Sequence, residues 1–214
     1  MIWNDKVLFI HVPKTAGMSM TDLLTEYFEG SVSITGPFET QHKKAGVTCI
    51  PGRRHETLCD AESFFSYRNM RLQNFEKIFS VMRNPYDLEL SRYAYLRKNL
   101  PQDNGKAQEI ALNNDYRGYL RKAPFFGMNP PRLDLYYHHN GIMPDNLVVL
   151  RFERLVEDIK CFLSPYLGEG YKLPHVNSSA HDEYAKIYDE ELEKLCFERN
   201  RWFFEKGFYP RISW

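Results

Sequence analysis

The chain has 214 residues, of which 43% are hydrophobic and 26% are charged, and its formal net charge at pH 7 is zero. This length is sufficient for one domain with a sizeable core, and we expect a single domain over residues 1–214. A neutral chain has no overall field that attracts nucleic acid or a membrane surface, so any anion-binding site must be local.

Cysteine spacing and apolar run lengths exclude further classes of protein. The four cysteines form no Cys-x-x-Cys pair, so the sequence indicates neither a zinc site nor a redox motif, and we expect no metal ion. The longest early apolar run, VLFIHV, is too short to span a bilayer.

Predicted strands and helices alternate along the chain. In chain order they are a strand over residues 6–12, a helix over 18–28, a strand over 45–50, a helix from residue 57 or 59, a strand over 76–83, a helix from 85 to about 98, mostly helical chain over 106–139, a strand over 147–151, and helices over 155–167 and 180–206. This alternation favours an α/β fold, with a central parallel sheet flanked by helices on both faces. In such sheets ligands bind at the carboxyl ends of the strands. We therefore expect the turn after residue 12, the residues after 50 and Arg83 to lie at one edge of the sheet.

The turn after the first strand has the composition of an anion-binding site. A strand that turns directly into a helix aims backbone N–H groups and the positive end of the helix dipole at one point. In KTAGMSM, residues 14–20, Ala16 and Gly17 permit close approach of the backbone, Lys14 adds a positive charge and Ser19 adds a hydroxyl donor. The Gly-x-x-x-x-Gly-Lys-Ser/Thr pattern of nucleotide-binding loops is absent. An ordinary turn with a solvated lysine remains an alternative.

A second candidate anion site follows the strand over residues 76–83. In RNPYDLELS, Arg83 ends the strand, Asn84 and Pro85 suit the start of a helix, and Ser91 lies within two turns of that start. Arginine suits bidentate phosphate binding, and the serine adds a hydroxyl. The alternative is that Arg83 pairs with a nearby carboxylate, Asp87 or Glu89. Two such sites at one edge suit a ligand with two separated phosphate-like groups.

These two stretches carry a resemblance to a known family. FIHVPKTAGMSM resembles the 5′-phosphosulfate-binding loop of the sulfotransferases, and FSVMRNPYDLELSRYAYL resembles their 3′-phosphate-binding segment. The stretches VVLRFERL and LPHVNSSAHDEYAKIYDEELEKLCFE are similar to later segments of the carbohydrate branch, which includes the heparan sulfate 2-O- and chondroitin sulfotransferases and bacterial relatives. The resemblance implies a P-loop-like three-layer sandwich and transfer of a sulfonate from 3′-phosphoadenosine 5′-phosphosulfate (PAPS) to an acceptor hydroxyl.

The resemblance also implies roles for particular residues. Arg83 and Ser91 would bind the 3′-phosphate of PAPS. In addition to binding the 5′-phosphate, Lys14 would neutralise the negative charge on the bridging oxygen as its bond to sulfur breaks. Where Met18 stands the family usually has threonine, so one hydroxyl is lost although the backbone N–H remains. The 5′-phosphate would be bound by Lys14, Thr15, Ala16, Gly17, Met18, Ser19 and Met20.

An attacking hydroxyl needs a base, and His55 is the candidate. It follows a predicted strand end, and its position between the two phosphate segments resembles that of a histidine in related bacterial enzymes. An imidazole with an ordinary pKa suits proton removal near neutral pH. The adjacent Glu56 is the rival base, and a solvated loop histidine is the alternative. His11, inside the first predicted strand, is expected to be a core or edge histidine.

The expected acceptor is a hydroxyl of a carbohydrate or glycoconjugate. The pairs Lys43–Lys44 and Arg53–Arg54 would suit an acidic acceptor, and the loop over residues 173–181 is a further candidate for contact with the donor. With no membrane anchor in the sequence, we expect a cytoplasmic, bacterial enzyme. The alternatives are a nucleotide-dependent kinase with a degenerate phosphate loop and a non-catalytic carbohydrate-binding protein of the same fold.

Overall fold

A computed structural model describes residues 1–36, 46–98, 105–125, 128, 131–172 and 184–213. The chain forms two compact units, the first from Met1–Met82 and Leu135–Asn177, the second from Arg83–Asp134 and Ser178–Trp214. Lys43, Lys44 and the loop over residues 173–181 lie outside the described residues, so their expected contacts with a ligand stay predictions.

One sheet organises the first unit. Its six described strands are β1 (Ile2–Trp3), β2 (Val7–Ile10), β3 (Val32–Gly36), β4 (Val47–Pro51), β5 (Lys77–Met82) and β6 (Leu147–Arg151), in the spatial order β4-β3-β1-β2-β5-β6. β1 is antiparallel to both of its neighbours, whereas the pairs β3–β4, β2–β5 and β5–β6 are parallel. The predicted α/β fold with a central sheet flanked by helices is confirmed, but the sheet is mostly parallel rather than wholly parallel, because β1 runs antiparallel to its neighbours. The sequence patterns did not predict β1 and β3.

The described residues also form eight helices. They are α1 (Gly17–Tyr27), α2 (Leu58–Ser66), α3 (Pro85–Lys98), α4 (Gly105–Asn113), α5 (Tyr116–Lys122), α6 (Leu155–Asp158), α7 (Glu190–Arg199) and α8 (Arg201–Glu205). The helix predicted over residues 155–167 is split, because α6 continues as a π-helical turn and then a 3₁₀ turn. The helix predicted over 180–206 contains α7 and α8, which meet at Asn200.

Helices cover both faces of the sheet in the first unit. On one face the buried side chains of α1 and α6 pack with alternate residues of the strands; this core includes Phe9, Met20, Leu24, Phe79 and Leu155. On the opposite face α2 packs through aromatic rings, since Phe65 contacts both Trp3 and Phe75 edge to face. Because successive residues of a strand point to opposite faces, both layers are built from the same short apolar strands.

A buried carboxylate organises the second unit. Glu89 of α3 is fully buried, and its carboxylate accepts hydrogen bonds from Arg199 Nε of α7 at 2.7 Å and from the Tyr119 hydroxyl of α5 at 3.0 Å. Burial alone would raise the pKa of Glu89, but the guanidinium groups of Arg199 and Arg92 hold it below its ordinary value. The carboxylate is therefore charged, and it joins three helices.

We predict that Glu89→Gln destabilises the protein strongly. The change leaves the buried Arg199 guanidinium without its counter-charge, which costs about 3–5 kcal/mol of unfolding free energy. The control is Glu205→Gln, which removes an exposed ion pair with Arg201 and costs at most about 0.5 kcal/mol. Urea denaturation measures both variants. Equal losses in the two would show that the buried pair contributes no more than an exposed one.

Candidate functional site

The turn between β2 and α1 has an unusual backbone. Lys14 and Ala16 both adopt left-handed conformations, with φ of 66° and 60°, although neither is a glycine. The buried Thr15 lies between them and donates its hydroxyl hydrogen to the Val12 carbonyl at 2.9 Å. Residues in such conformations persist only where the surrounding structure offsets their conformational free-energy cost, and they cluster at active sites and ligand-binding sites.

The start of α1 lacks the usual side-chain cap. The N-cap position is Ala16, whose methyl group cannot accept a hydrogen bond from the first N–H groups of the helix. The strand β2, the turn and the uncapped helix thus reproduce the arrangement predicted for an anion site.

The predicted ligands at the start of α1 have different surroundings. Met18 is 60% exposed, and Ser19 is half-buried. Met20 is fully buried in the core, and its N–H donates to the Ala16 carbonyl at 3.0 Å. Neither the side chain nor the N–H of Met20 is therefore directed to a ligand, and its predicted contact with the 5′-phosphate has no support in this geometry.

Gly17 is required at the first position of α1 by its contact with His11. A Cβ atom on residue 17 would lie 1.5 Å from His11 Nε2 and 2.1 Å from its Cδ2. Both ring atoms belong to a side chain that is only 5% exposed. The histidine after β2 therefore lies directly against the start of the helix, and any larger residue at position 17 would displace it.

His55 is held beside His11. Its Nδ1 lies 3.1 Å from the His11 carbonyl oxygen, and the two imidazole rings meet edge to face with centroids 4.4 Å apart. Because a carbonyl only accepts, Nδ1 is the protonated nitrogen of neutral His55, and Nε2 carries the lone pair. The Tyr136 hydroxyl donates to the His55 carbonyl at 3.3 Å and fixes the backbone of the same residue.

The segment that carries His55 is fixed by the start of α2. Thr57 caps this helix: its hydroxyl accepts from the Asp60 N–H at 3.2 Å, and the Asp60 carboxylate accepts from the Thr57 N–H at 2.9 Å. The capping box fixes the backbone at the start of α2, and His55 lies only two residues before the cap residue Thr57.

Both imidazoles are held neutral. Burial, reinforced by the charge of Arg54, lowers the pKa of His55 to about 4 even though its bond to the His11 carbonyl favours the charged form. Burial also lowers the pKa of His11 well below its ordinary value, with further contributions from His55, the amino group of Met1 and Arg54. At neutral pH, His55 is therefore uncharged, and its pKa lies below the ordinary value expected from the sequence.

Glu56, the rival base, has a different environment. It is 7% exposed, and Oε2 accepts from the Thr35 hydroxyl at 2.7 Å and lies 3.6 Å from the Met1 amino group. Its Oε1 accepts from the Arg53 N–H at 3.4 Å. Both carboxylate oxygens are thus engaged in holding β3 and the residues before α2 together.

The two adjacent arginines of this segment also differ. Arg53 forms a 2.6 Å ion pair with Asp60. Arg54 is half-buried, and its Nη1 contacts Met18 Sδ at 3.6 Å, at the first turn of α1. Among the described residues, Arg54 has no carboxylate partner. It is therefore a cation beside both the uncapped helix and His55.

In the second unit, the residues predicted to bind a second anion contact one another. Arg83 donates from Nε to Asp87 Oδ2 at 2.7 Å and from Nη1 to the Ser91 hydroxyl at 3.1 Å. Asn84 accepts from the Tyr86 N–H at 3.0 Å, as expected for a residue at the start of a helix. The pairing of Arg83 with Asp87, which was the alternative to phosphate binding, is present, whereas Glu89 pairs with Arg199.

Within the described parts of the chain, no group of three or more histidine, cysteine, aspartate or glutamate side chains is arranged to hold a metal ion. None of the helices in these parts of the chain is long and apolar enough to cross a membrane.

The fold of the chain resembles that of a solved sulfotransferase. It matches the crystal structure of mouse sulfotransferase SULT7A1 complexed with PAP with a TM-score of 0.52, over 94% of this chain and 82% of that chain, at 14% sequence identity. Fifteen solved chains match in all. No family model matches the sequence, and no curated protein matches it. The likeness confirms the predicted fold class, and the function is inferred below.

The buried histidines predict an acid-sensitive fold. Between pH 6.5 and about 4 the unfolded chain binds a proton on His55 that the folded chain does not bind, so the free energy of unfolding falls as the pH falls. One such site contributes about 3 kcal/mol at most, and His11 acts in the same direction. Urea denaturation should show a shallower decline for His55→Asn than for wild type in this window. Parallel curves would contradict the low pKa of His55.

Proposed function

We propose that this chain is a sulfotransferase that moves a sulfonate group from PAPS to an acceptor hydroxyl. The observation that supports this most is the uncapped start of α1 directly after β2, with Lys14 in the strained turn, on a fold that matches a sulfotransferase complexed with PAP. PAP is adenosine 3′,5′-bisphosphate, the product that remains when PAPS loses its sulfonate.

The donor's two phosphates would be bound by the two candidate sites. The N–H groups at the start of α1, the Ser19 hydroxyl and the Lys14 ammonium suit the 5′-phosphate. Arg83 and Ser91 suit the 3′-phosphate, and Asp87 already fixes the direction of the arginine side chain. A charge-assisted hydrogen bond of this kind contributes about 1.5–3 kcal/mol.

In the proposed reaction, His55 Nε2 accepts the proton of the acceptor hydroxyl while its oxygen bonds to sulfur. The bond between sulfur and the bridging oxygen of the 5′-phosphate breaks, and Lys14 stabilises the negative charge that this oxygen gains. His55 is favoured over Glu56 because the Nδ1 bond to the His11 carbonyl makes Nε2 the nitrogen that carries the lone pair, whereas both Glu56 oxygens accept hydrogen bonds within the protein. A positioned base of this kind supplies about 10²–10⁴-fold in rate.

The acceptor we propose is a hydroxyl of a carbohydrate or glycoconjugate, as the sequence resemblance implies. Arg54 supports an acceptor that carries negative charge, because this half-buried cation lies beside the first turn of α1 and has no carboxylate partner among the described residues. The rival functions, a kinase and a non-catalytic carbohydrate-binding protein, make different predictions in the same assay.

The decisive experiment combines calorimetry with a transfer assay. We expect PAP to bind more tightly than ATP, and we expect sulfonate to move from PAPS to at least one member of a panel of sugars and glycans, detected as a gain in acceptor mass. His55→Ala should retain PAP binding and lose about 10²-fold or more in turnover. Tighter binding of ATP would favour the kinase, and glycan binding without transfer would favour the binding protein.

We predict that Arg83→Ala weakens donor binding through the 3′-phosphate alone. Calorimetry should show a loss of about 10-fold to 100-fold in affinity for PAP, as expected when a charge-assisted hydrogen bond is removed, and little change for adenosine 5′-phosphate. Arg97→Ala, on the same helix, is the control, since Arg97 contacts Tyr93 and the Ala111 carbonyl. Equal losses for the two nucleotides would place Arg83 away from the 3′-phosphate.

A further inference from the structure

His11 makes three contacts that meet at the candidate site. Its ring lies against Gly17, the first residue of α1, as the 1.5 Å separation between Nε2 and a Cβ built on Gly17 requires. Its ring edge meets the His55 ring at a centroid distance of 4.4 Å, and its carbonyl oxygen accepts the His55 Nδ1 hydrogen. One buried residue therefore contacts both the proposed donor turn and the proposed base.

We propose that His11 is a positioning residue for His55. Its carbonyl oxygen selects the tautomer, and its imidazole ring, which lies against Gly17, holds the His55 ring in one orientation and keeps water from that side. His11 is not itself a base, because its side chain is 5% exposed and its Nε2 edge is packed against the helix. The part of the proposal that concerns turnover rests on the proposed function, and the part that concerns the His55 ring does not.

Among the described residues, the charged and titratable groups around His55 include His11 after β2, Arg54 in the same segment and the amino group of Met1 before β1. Tyr136 adds a neutral hydroxyl that donates to the His55 carbonyl. Arg54 and the amino group remain when His11 is changed. A shift in the titration of His55 in a His11 variant then reports the loss of the ring contact and of the dry environment that it maintains.

The test is an NMR titration of the His55 imidazole, which needs no substrate. In wild type we expect the midpoint near pH 4. His11→Ala admits water beside His55, and we expect the midpoint to rise by about one unit or more toward the ordinary value of about 6.5. His11→Phe retains a flat ring in the same place, and the midpoint should stay near that of wild type.

Two further variants keep the test decisive. Gly17→Ala forces the His11 ring out of its place without changing any titratable group, so the His55 midpoint should rise in this variant too. His138→Ala removes another buried histidine of the first unit, one whose ring accepts from the Gly141 N–H, and should leave the His55 midpoint unchanged. An unshifted midpoint in both His11→Ala and Gly17→Ala overturns the proposal. An equal shift in His138→Ala overturns it as well, because the shift would then report general loosening.

Turnover provides the second measurement. If the chain transfers sulfonate, His11→Ala should lower kcat on the order of 10²-fold, as expected for a misplaced base, and His11→Phe should restore most of it. Equal kcat for the alanine and phenylalanine variants overturns the positioning role. Absence of sulfonate transfer by the wild-type chain refutes the proposed function instead, and the titration still decides whether His11 positions the His55 ring.

Discussion

The close packing of the His11 ring on Gly17 is the constraint on which the candidate site depends. The chain must leave β2, reverse direction and enter α1 within residues 11–16, and the ring occupies the space in which any other residue at position 17 would place its Cβ. The turn meets this demand with two left-handed residues, Lys14 and Ala16, which cost on the order of 1 kcal/mol or more each. The apolar face of α1 is buried in the core and offsets this cost, so the start of the helix stays in place although it has no side-chain cap.

The second unit reaches a similar result with buried charge. Along α3, Asp87 and Ser91 contact Arg83, whereas Glu89 between them is fully buried and pairs with Arg199 of α7. The pair is costly to desolvate, but once formed it resists rotation or sliding of α3, because either motion would leave a buried charge without its partner. The arginine that we propose as a phosphate ligand is thus presented by a helix whose position is fixed by ions rather than by apolar packing alone.

The sequence predicted those parts of the structure in which local pattern and tertiary environment agree. β2 and β5 are short, mainly apolar runs, and α1 and α3 begin at a glycine and a proline, so their ends were predicted within a few residues. β1 has only two residues, too few for a periodic pattern, and β3 mixes Ser33 and Thr35 with apolar residues between two glycines, which resembles a loop. The role of His11 was missed for a related reason. Its contacts with Gly17 and His55 join residues that are apart in sequence, and only the folded chain brings them together.

Local charge explains how a chain with zero net charge can attract an anion and still keep His55 neutral. Arg54 lies at the first turn of α1 without a carboxylate partner among the described residues, so its field attracts an anion to the uncapped helix. The same field disfavours a second positive charge nearby and, after burial, contributes to the low pKa of His55. One guanidinium therefore attracts an anion and opposes protonation of His55. An acidic residue in its place would reverse both effects, because it would repel an anion and stabilise the imidazolium form of His55.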